Sequence, residues 1–312
     1  MTSGPHGKIA VTSPRDRWVA RLWDRLWESY RDRVSYVQVY ESLMERYGVA
    51  FTNDHIAFRT IAWQRPASGI FVLARILDAI GYRAAGCYRF EDKHLTAIHF
   101  QYPHPDFPKI FVSQFDAWEL DDDARRIVAE SLTQHRPLPS EEQLAALSRL
   151  DSLSPAEQTA QLDQVVDWIE TRPWPAPDRR ALEQLHDVSQ YAAWVLVHGY
   201  RVNHYTALIN SQHHEAVSDI ERTVELLRAD GVPMKEAIEG EPGSRLRQSA
   251  TKAVVTDVEV RDGDATVTIP WTYAYLELAE RGEVLDPHTG ERRRFEGFLG
   301  PQATQLFEMT RK

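Results

Sequence analysis

The sequence is poor in cysteine, in long hydrophobic runs and in positive charge. Cys87 is the single cysteine among 312 residues, so neither an intramolecular disulfide nor a zinc site built from several thiolates can form within one chain. The formal net charge is -10, whereas general binding to nucleic acid or anionic membranes needs clustered Lys and Arg. We therefore expect small-molecule partners, and a local basic pocket for an acidic substrate is compatible with this charge.

Two further absences concern the location of the protein. No apolar run approaches the length that spans a bilayer, and residues 1–17 contain no apolar stretch typical of a signal peptide. Together with the single cysteine, they predict a cytoplasmic protein that is neither secreted nor embedded in a membrane. Hydrophobic residues make up 43% of the chain, which is enough for the core of one large domain or two modest ones.

The hydrophobic periodicity predicts an α+β fold in which two halves repeat one order of elements. Each half reads as a strand, an amphipathic helix and three further strands, a βαβββ module. Because sequence identity between the halves is weak, the repeat rests on element order. We predict a flexible tail, then one catalytic domain made of N-terminal helices, a first module, a helical insertion, and a second module with the C-terminal segment: 1–14, 15–48, 49–117, 118–190 and 191–312.

Three residues on predicted strands form a candidate metal site: His55, His204 and Glu277. Two imidazoles and one carboxylate are the set that leaves open coordination positions on a non-haem Fe(II). Glu277 shares a strand face with Tyr273 and Tyr275, and a carboxylate in an otherwise apolar layer is costly unless it is paired or bound to a metal. This set points to an enzyme that uses oxygen, with the two tyrosines helping to line its pocket.

Arg59 lies four residues after His55 on the same predicted strand face, because residues two apart in a strand share a face. Four strand residues span roughly 13 Å, so Arg59 cannot touch a metal held by His55. Its guanidinium suits a carboxylate at the far end of a bound substrate, which it can grip with two hydrogen bonds.

Other interpretations of these residues stay open. Glu277 could pair with Arg281 near the end of its strand, and a single histidine is more often a hydrogen-bonded residue than a ligand. His94, His99 and His104 form a competing histidine cluster. However, His94 and His99 are five residues apart and would fall on opposite faces of a continuous strand.

Four segments of the chain resemble the family long called DUF1338, whose characterised members are 2-oxoadipate dioxygenase/decarboxylases, also known as hydroxyglutarate synthases. The segments are DHIAFRT, GSRLRQSATKA, VNHYTALI and YLELAERG, and the resemblance spans most of residues 15–300. It implies a vicinal-oxygen-chelate-like core of paired βαβββ modules. It also implies that His55, His204 and Glu277 hold one Fe(II) and that Arg59 clamps the distal carboxylate of the substrate.

The resemblance also places a polar segment near the active site, with Gln248, Ser249 and Thr251 as substrate-binding residues. On residue type alone, the same segment reads as a turn and strand start in which Ser and Thr bond to the local backbone. Two departures from the family concern the substrate. Gln114 stands where many relatives carry an acidic residue, and the chain looks shorter than the characterised enzymes, so we expect parts of their C-terminal active-site elements to be absent.

The activity implied by the resemblance is the conversion of a 2-oxo acid and O2 into a 2-hydroxy acid and CO2, with 2-oxoadipate giving 2-hydroxyglutarate. Two alternatives remain. The same fold and metal could serve a different oxo acid, or an isomerase or lyase reaction without O2. Paired βαβββ modules can also form a metal-free protein that binds small ligands, since fold alone does not fix function.

Overall fold

The computed structural model describes residues 4–63, 67–136, 139–287 and 289–299, and these form the expected α+β architecture. The helices α1 to α9 run, in order, over Pro14–Arg33, Ser35–Arg46, Ile70–Ile80, Asp122–Ser131, Glu141–Leu147, Pro155–Glu170, Arg179–Val188, Gln190–His198 and Ile220–Ala229. The strands β1 to β11 run, in order, over Asn53–Ile61, Arg83–Phe90, Leu95–Gln101, Lys109–Phe115, Val202–Leu208, Leu246–Ala250, Val255–Asp262, Ala265–Thr272, Glu277–Arg281, Glu283–Leu285 and Arg292–Arg294.

A seven-stranded mixed sheet forms the centre of the fold, with the order β2-β3-β4-β1-β5-β9-β6. Strand β1 pairs parallel with β4 and antiparallel with β5, and β5 pairs parallel with β9. The three strands that carry His55, His204 and Glu277 are therefore direct neighbours. This adjacency brings together residues that lie far apart along the chain.

The first module has the predicted order of strand, helix and three strands. Gly81 ends α3 with a φ of 112°, a left-handed conformation that favours glycine. Gln114 accepts a hydrogen bond from the backbone N–H of Ile70 at the start of α3 and donates another to Asp116. The Gln114 amide therefore caps helix α3. Where many relatives carry an acidic residue, this chain uses a glutamine at the start of that helix.

The second half differs from the prediction in which strands join the main sheet. Strands β7 and β8, which the repeated order of elements counts among the three further strands of the second module, form a separate two-stranded sheet. Their alternating apolar residues correctly predicted strands, but a period of two cannot say which sheet a strand joins. The main sheet takes β6, in the segment read as a turn and strand start. Strand β9 begins only at Glu277, so Tyr273 and Tyr275, which were expected on the same strand, precede it.

The predicted helical insertion, 118–190, contains helices α4 to α7. A further helix, α8, which the sequence did not predict, begins at its last residue and lies in the range assigned to the second module. Ser140 and Ser154 each form a capping box at the start of a helix, α5 and α6 respectively. In α8, every residue from Tyr191 to His198 is buried. A helix buried on all sides has no polar face, so it lacks the amphipathic period by which helices are recognised.

Helix α1 packs its aromatic side chains against the main sheet. The indole N–H of Trp23 donates to the hydroxyl of Tyr82 at 2.9 Å, and the hydroxyl of Tyr205 on β5 donates to the carbonyl of Trp23 at 2.9 Å. The hydroxyl of Tyr30 donates to the carbonyl of Tyr275, two residues before Glu277. Helix α1 therefore fixes the position of two ligand-bearing strands.

The N-terminal residues described by the structure contact this same helix. His6 is buried, and its ring lies 2.8 Å from Asp24 on α1 and 2.9 Å from Asn53. Residues 1–3 of the predicted tail lie outside the described residues. Over the residues that the structure covers, no helix is both long enough and apolar enough to cross a membrane.

Candidate metal centre

His55, His204 and Glu277 converge on one point at the centre of the sheet. One potential ligand atom from each lies within 4.8 Å of the others, and all three side chains are buried. The Nε2 atom of His55 is 3.4 Å from Oε1 of Glu277, and the Nε2 atom of His204 is 3.4 Å from Oε2. The structure therefore brings together the three residues that the sequence proposed as ligands.

Each histidine is oriented by the residue that precedes it in the chain. The Nδ1 atom of His55 lies 2.8 Å from Oδ2 of Asp54, and the Nδ1 atom of His204 lies 3.0 Å from Oδ1 of Asn203. Carboxylate and amide oxygens accept hydrogen bonds, so both Nδ1 atoms carry the proton and donate. The lone pair of each ring is then on Nε2, the atom that faces Glu277, which is the arrangement of metal-binding histidines.

The charge state of Asp54 supports this assignment. Burial by itself would raise the pKa of Asp54, but Arg281 and Lys109 hold that pKa well below its usual range. The guanidinium of Arg281 bonds both oxygens of Asp54, with Nη2 at 2.8 Å from Oδ2. Asp54 is therefore an ionised acceptor, and Arg281 pairs with it rather than with Glu277.

Glu277 has the environment of a buried carboxylate that needs a cation. Burial raises the pKa of Glu277 to about 8, against the opposing effect of a hydrogen bond from Gln248. Burial also lowers the pKa of His55, although Asp54 opposes it, and of His204. Among the described residues, Oε2 of Glu277 has no hydrogen-bond partner. Two neutral imidazoles and a buried carboxylate therefore fit a divalent metal ion.

Arg59 lies in the same pocket as the three candidate ligands, as predicted. Its side chain is 2% exposed, and its guanidinium carbon is 4.9 Å from the ring centre of Tyr191 and 5.2 Å from that of Trp194, both on α8. The cavity in this pocket has a volume of about 30 Å³. Phe111 and Phe298 are among its aromatic lining residues. A buried cation held against aromatic rings can bind an anionic group that enters the pocket.

The other predicted substrate contacts fall into two groups. Gln248 lines the pocket and donates to Oε1 of Glu277 at 2.6 Å, while Tyr275 lines it and stacks on His204 with ring centres 4.8 Å apart. Ser249 and Thr251 are buried but are not among the described lining residues. The Thr251 hydroxyl donates to the adjacent carbonyl of Lys252, the local bond that its residue type suggested, and also accepts from the backbone N–H of Leu276, 25 residues away.

Two sequence interpretations are corrected by the positions of the side chains. Tyr273 does not share the pocket wall with Tyr275, because the chain before Glu277 is not a strand; its ring stacks on Trp194 at 6.2 Å. The competing histidine cluster does not form. His94 pairs with Glu119, His99 with Tyr88 and His104 with the carbonyl of Ala10.

Some residues of the site gave no recognisable signal in the sequence. Asp54 and Asn203 each stand directly before a candidate ligand, so adjacency was the available clue. Arg281 appeared only as a possible partner of Glu277. Phe298 and the aromatic residues of α8 reach the pocket through tertiary packing, which sequence spacing does not reveal.

Known proteins share both the sequence pattern and the fold. The 2-oxoadipate dioxygenase/decarboxylase, chloroplastic, of Arabidopsis thaliana is 25% identical over 277 residues, or 82% of this chain and 67% of that protein. A protein assigned to the glyoxalase superfamily from Ralstonia eutropha JMP134 has a TM-score of 0.81 at 24% identity, with 96% of this chain and 92% of that chain covered. Hydroxyglutarate synthase in complex with 2-oxoadipate from Oryza sativa has a TM-score of 0.77 at 22% identity, with 97% and 95% covered.

At these identities, the two solved structures show the fold alone: this chain has the same fold as a protein assigned to the glyoxalase superfamily and as a hydroxyglutarate synthase. The sequence as a whole shows the family. The family model described as 2-oxoadipate dioxygenase/decarboxylase matches residues 26–309, and this chain therefore belongs to that family of enzymes.

Proposed function

We propose that this enzyme converts a 2-oxo acid and O2 into a 2-hydroxy acid and CO2, with Fe(II) held by His55, His204 and Glu277. The best candidate substrate is 2-oxoadipate, which would give 2-hydroxyglutarate. Both oxygen atoms of O2 are accounted for, because the product and CO2 together contain the atoms of the oxo acid and O2. The observation that carries this proposal is a two-histidine, one-carboxylate centre in the same buried pocket as Arg59.

The metal would supply a point of chelation for the carboxylate and keto oxygens of the substrate and a place for O2 to react. The protein prepares its own donors for this task. Asp54 and Asn203 keep a lone pair on each Nε2, and Gln248 holds one oxygen of Glu277 by a hydrogen bond of 2.6 Å. These contacts fix the direction of each donor before the metal arrives.

Arg59 would set the length and charge of the substrate. Its guanidinium is buried against the two aromatic rings of α8 and also bonds the hydroxyl of Tyr275. A second carboxylate on the substrate would compensate this buried positive charge and could be gripped with two parallel hydrogen bonds. This is why a dicarboxylic oxo acid is favoured over a monocarboxylic one.

The walls of the pocket would exclude water from the reaction. Phe111 and Phe298 pack with ring centres 4.8 Å apart beside His55. Exclusion of water strengthens the electrostatic contacts inside the pocket and protects reactive species from side reactions. The protein therefore contributes donor orientation, substrate orientation and a dry site.

The test is oxygen consumption by anaerobically purified, Fe(II)-loaded protein given 2-oxoadipate, alongside a panel of other 2-oxo acids, with products analysed by mass. Uptake with matching release of CO2 and 2-hydroxyglutarate is expected. His204→Ala should abolish uptake, whereas His104→Ala, at a half-buried loop position outside the pocket lining, should leave it unchanged.

The other outcomes identify the alternatives. Uptake with a different oxo acid would keep the chemistry and change the substrate. No uptake with any acid, despite bound iron, would contradict the proposal and indicate an isomerase or lyase reaction. A protein that binds no metal would indicate a ligand-binding role.

A further inference from the structure

The segment after β11 is held against three strands of the main sheet. We call residues 295–298 the strap. Arg281 on β9 donates through Nη1 to the carbonyl oxygens of Phe295 and Gly297, at 3.0 and 2.7 Å. The backbone N–H of Phe298 donates to the hydroxyl of Tyr88 on β2 at 3.1 Å. A further ion pair joins Glu296 to Lys109 on β4.

The strap contributes a wall of the candidate active site through Phe298. The ring centre of Phe298 lies 4.9 Å from that of His55 and 4.8 Å from that of Phe111. Its side chain is 8% exposed. Movement of the strap would therefore open the pocket directly beside one of the candidate ligands.

Arg281 connects the strap to His55 through a single guanidinium group. Its Nε and Nη2 atoms bond the carboxylate of Asp54, and Asp54 accepts the hydrogen bond from Nδ1 of His55. Its Nη1 atom bonds the strap. The N–H donors of a guanidinium group lie in one rigid plane. A movement of Arg281 that improves its bonds to Asp54 therefore disturbs its bonds to the strap.

The buried position of this ion pair argues for a role in geometry. Arg281 is 2% exposed and Asp54 is also 2% exposed. Removing two charges from water costs about as much as their attraction returns, so such a pair is a weak source of stability compared with apolar packing. The ion pair instead fixes the orientation of His55 and the position of the strap.

We propose that Arg281 is a positioning residue that orients His55 for the metal through Asp54 and docks the strap that places Phe298 in the pocket wall. Metal binding and strap docking are then coupled, and by linkage each strengthens the other. The inference rests on the proposed function only in taking the three-residue centre as a metal site.

The test uses the full chain, with Co(II) as the metal because its visible absorption reports its ligands. Affinity is measured by titration, and docking of the strap by hydrogen exchange of peptides covering it, with and without Co(II). The variants are Arg281→Lys, which keeps the charge but loses the fork, and Phe298→Ala. The control is Arg247→Lys, another buried arginine, which is ion-paired with Glu221 and Glu280 outside the pocket lining.

In the wild type, Co(II) should slow exchange in the strap. Arg281→Lys should speed that exchange and weaken Co(II) binding by roughly 10-fold, the low end of what loss of a ligand's hydrogen-bonded partner costs. Phe298→Ala should leave Co(II) affinity within about twofold, because the bonds from Arg281 to the strap go to the backbone carbonyls of Phe295 and Gly297, which this variant keeps. Arg247→Lys should change neither measurement.

Two results would overturn the positioning role. One is Arg281→Lys with unchanged strap exchange and unchanged Co(II) affinity. The other is a loss of Co(II) affinity and of slow exchange in the strap in Arg247→Lys that equals the loss in Arg281→Lys. That result would indicate a general effect of removing a buried arginine. A wild type that couples Co(II) to the strap but consumes no O2 would refute the proposed function alone, whereas normal turnover with an unaffected Arg281→Lys would refute the positioning role alone.

Discussion

Metal binding should displace a proton from Glu277. In the metal-free protein, burial raises the pKa of this carboxyl to about 8, so it is mostly protonated at pH 7. The pKa values of His55 and His204 are lowered by burial, so both rings are already neutral and have no proton to lose. A metal binds the carboxylate rather than the acid, and the proton must leave.

The size and the direction of the effect follow from that pKa. A group with a pKa of about 8 is about 90% protonated at pH 7 and about 25% protonated at pH 8.5, so the release should fall from about 0.9 to about 0.25 proton per metal. Ionisation of a water on the metal would give the opposite trend, because more of that water ionises as the pH rises. The sign of the pH dependence therefore identifies the source of the proton.

The assay is calorimetric titration with Mn(II) in buffers of different ionisation enthalpy at the two pH values. Glu119→Gln is the control, because Glu119 pairs with Arg89 and His94 away from the metal centre. This control should leave the proton count unchanged. A release near zero at pH 7, or one that grows with pH, would refute the reasoning.

Three further predictions concern the substrate, the metal and the fold. Arg59→Lys should raise KM for 2-oxoadipate roughly 10-fold, because a point charge replaces a bidentate fork; an equal rise for a monocarboxylic 2-oxo acid in steady-state kinetics would count against a distal carboxylate contact. Glu277→Ala should abolish metal retention without changing the far-ultraviolet circular dichroism, and a full metal content in the purified variant would contradict its assignment as a ligand. Trp23→Phe should lower the free energy of unfolding by about 2 kcal/mol, measured in urea, because it removes the hydrogen bond to Tyr82 and leaves a small cavity; unchanged stability would mean that this contact contributes nothing.

The sequence predicted the strands of the site well because their pattern is local. The segments around His55 and His204 alternate faces with a period of two, and that period places Arg59 on the same side as His55. Glu277 joined the two histidines because a carboxylate in an apolar layer needs a partner or a metal, and the family resemblance implied the same set. The structure brings these residues into one pocket, as the sequence analysis expected.

The rest of the site depends on tertiary packing, which leaves no periodic trace. Helix α8 is buried on every face, so the sequence shows no amphipathic pattern for the helix that holds Arg59 between aromatic rings. The β7–β8 hairpin has the pattern of sheet strands but leaves the main sheet. The bonds from Arg281 to Asp54 and to the strap span 227 and 14 to 16 residues, and no spacing rule predicts such partners.

The residues that precede the two histidines make the centre electronically asymmetric. Both modules use the same device, a side chain one position before the ligand, but one module supplies the carboxylate of Asp54 and the other the neutral amide of Asn203. A carboxylate draws the Nδ1 proton more strongly and makes the opposite nitrogen the richer donor. A fold built from two similar halves therefore offers its metal two imidazoles of unequal donor strength. The two sides of the centre differ electronically, although both histidines are the same type of ligand.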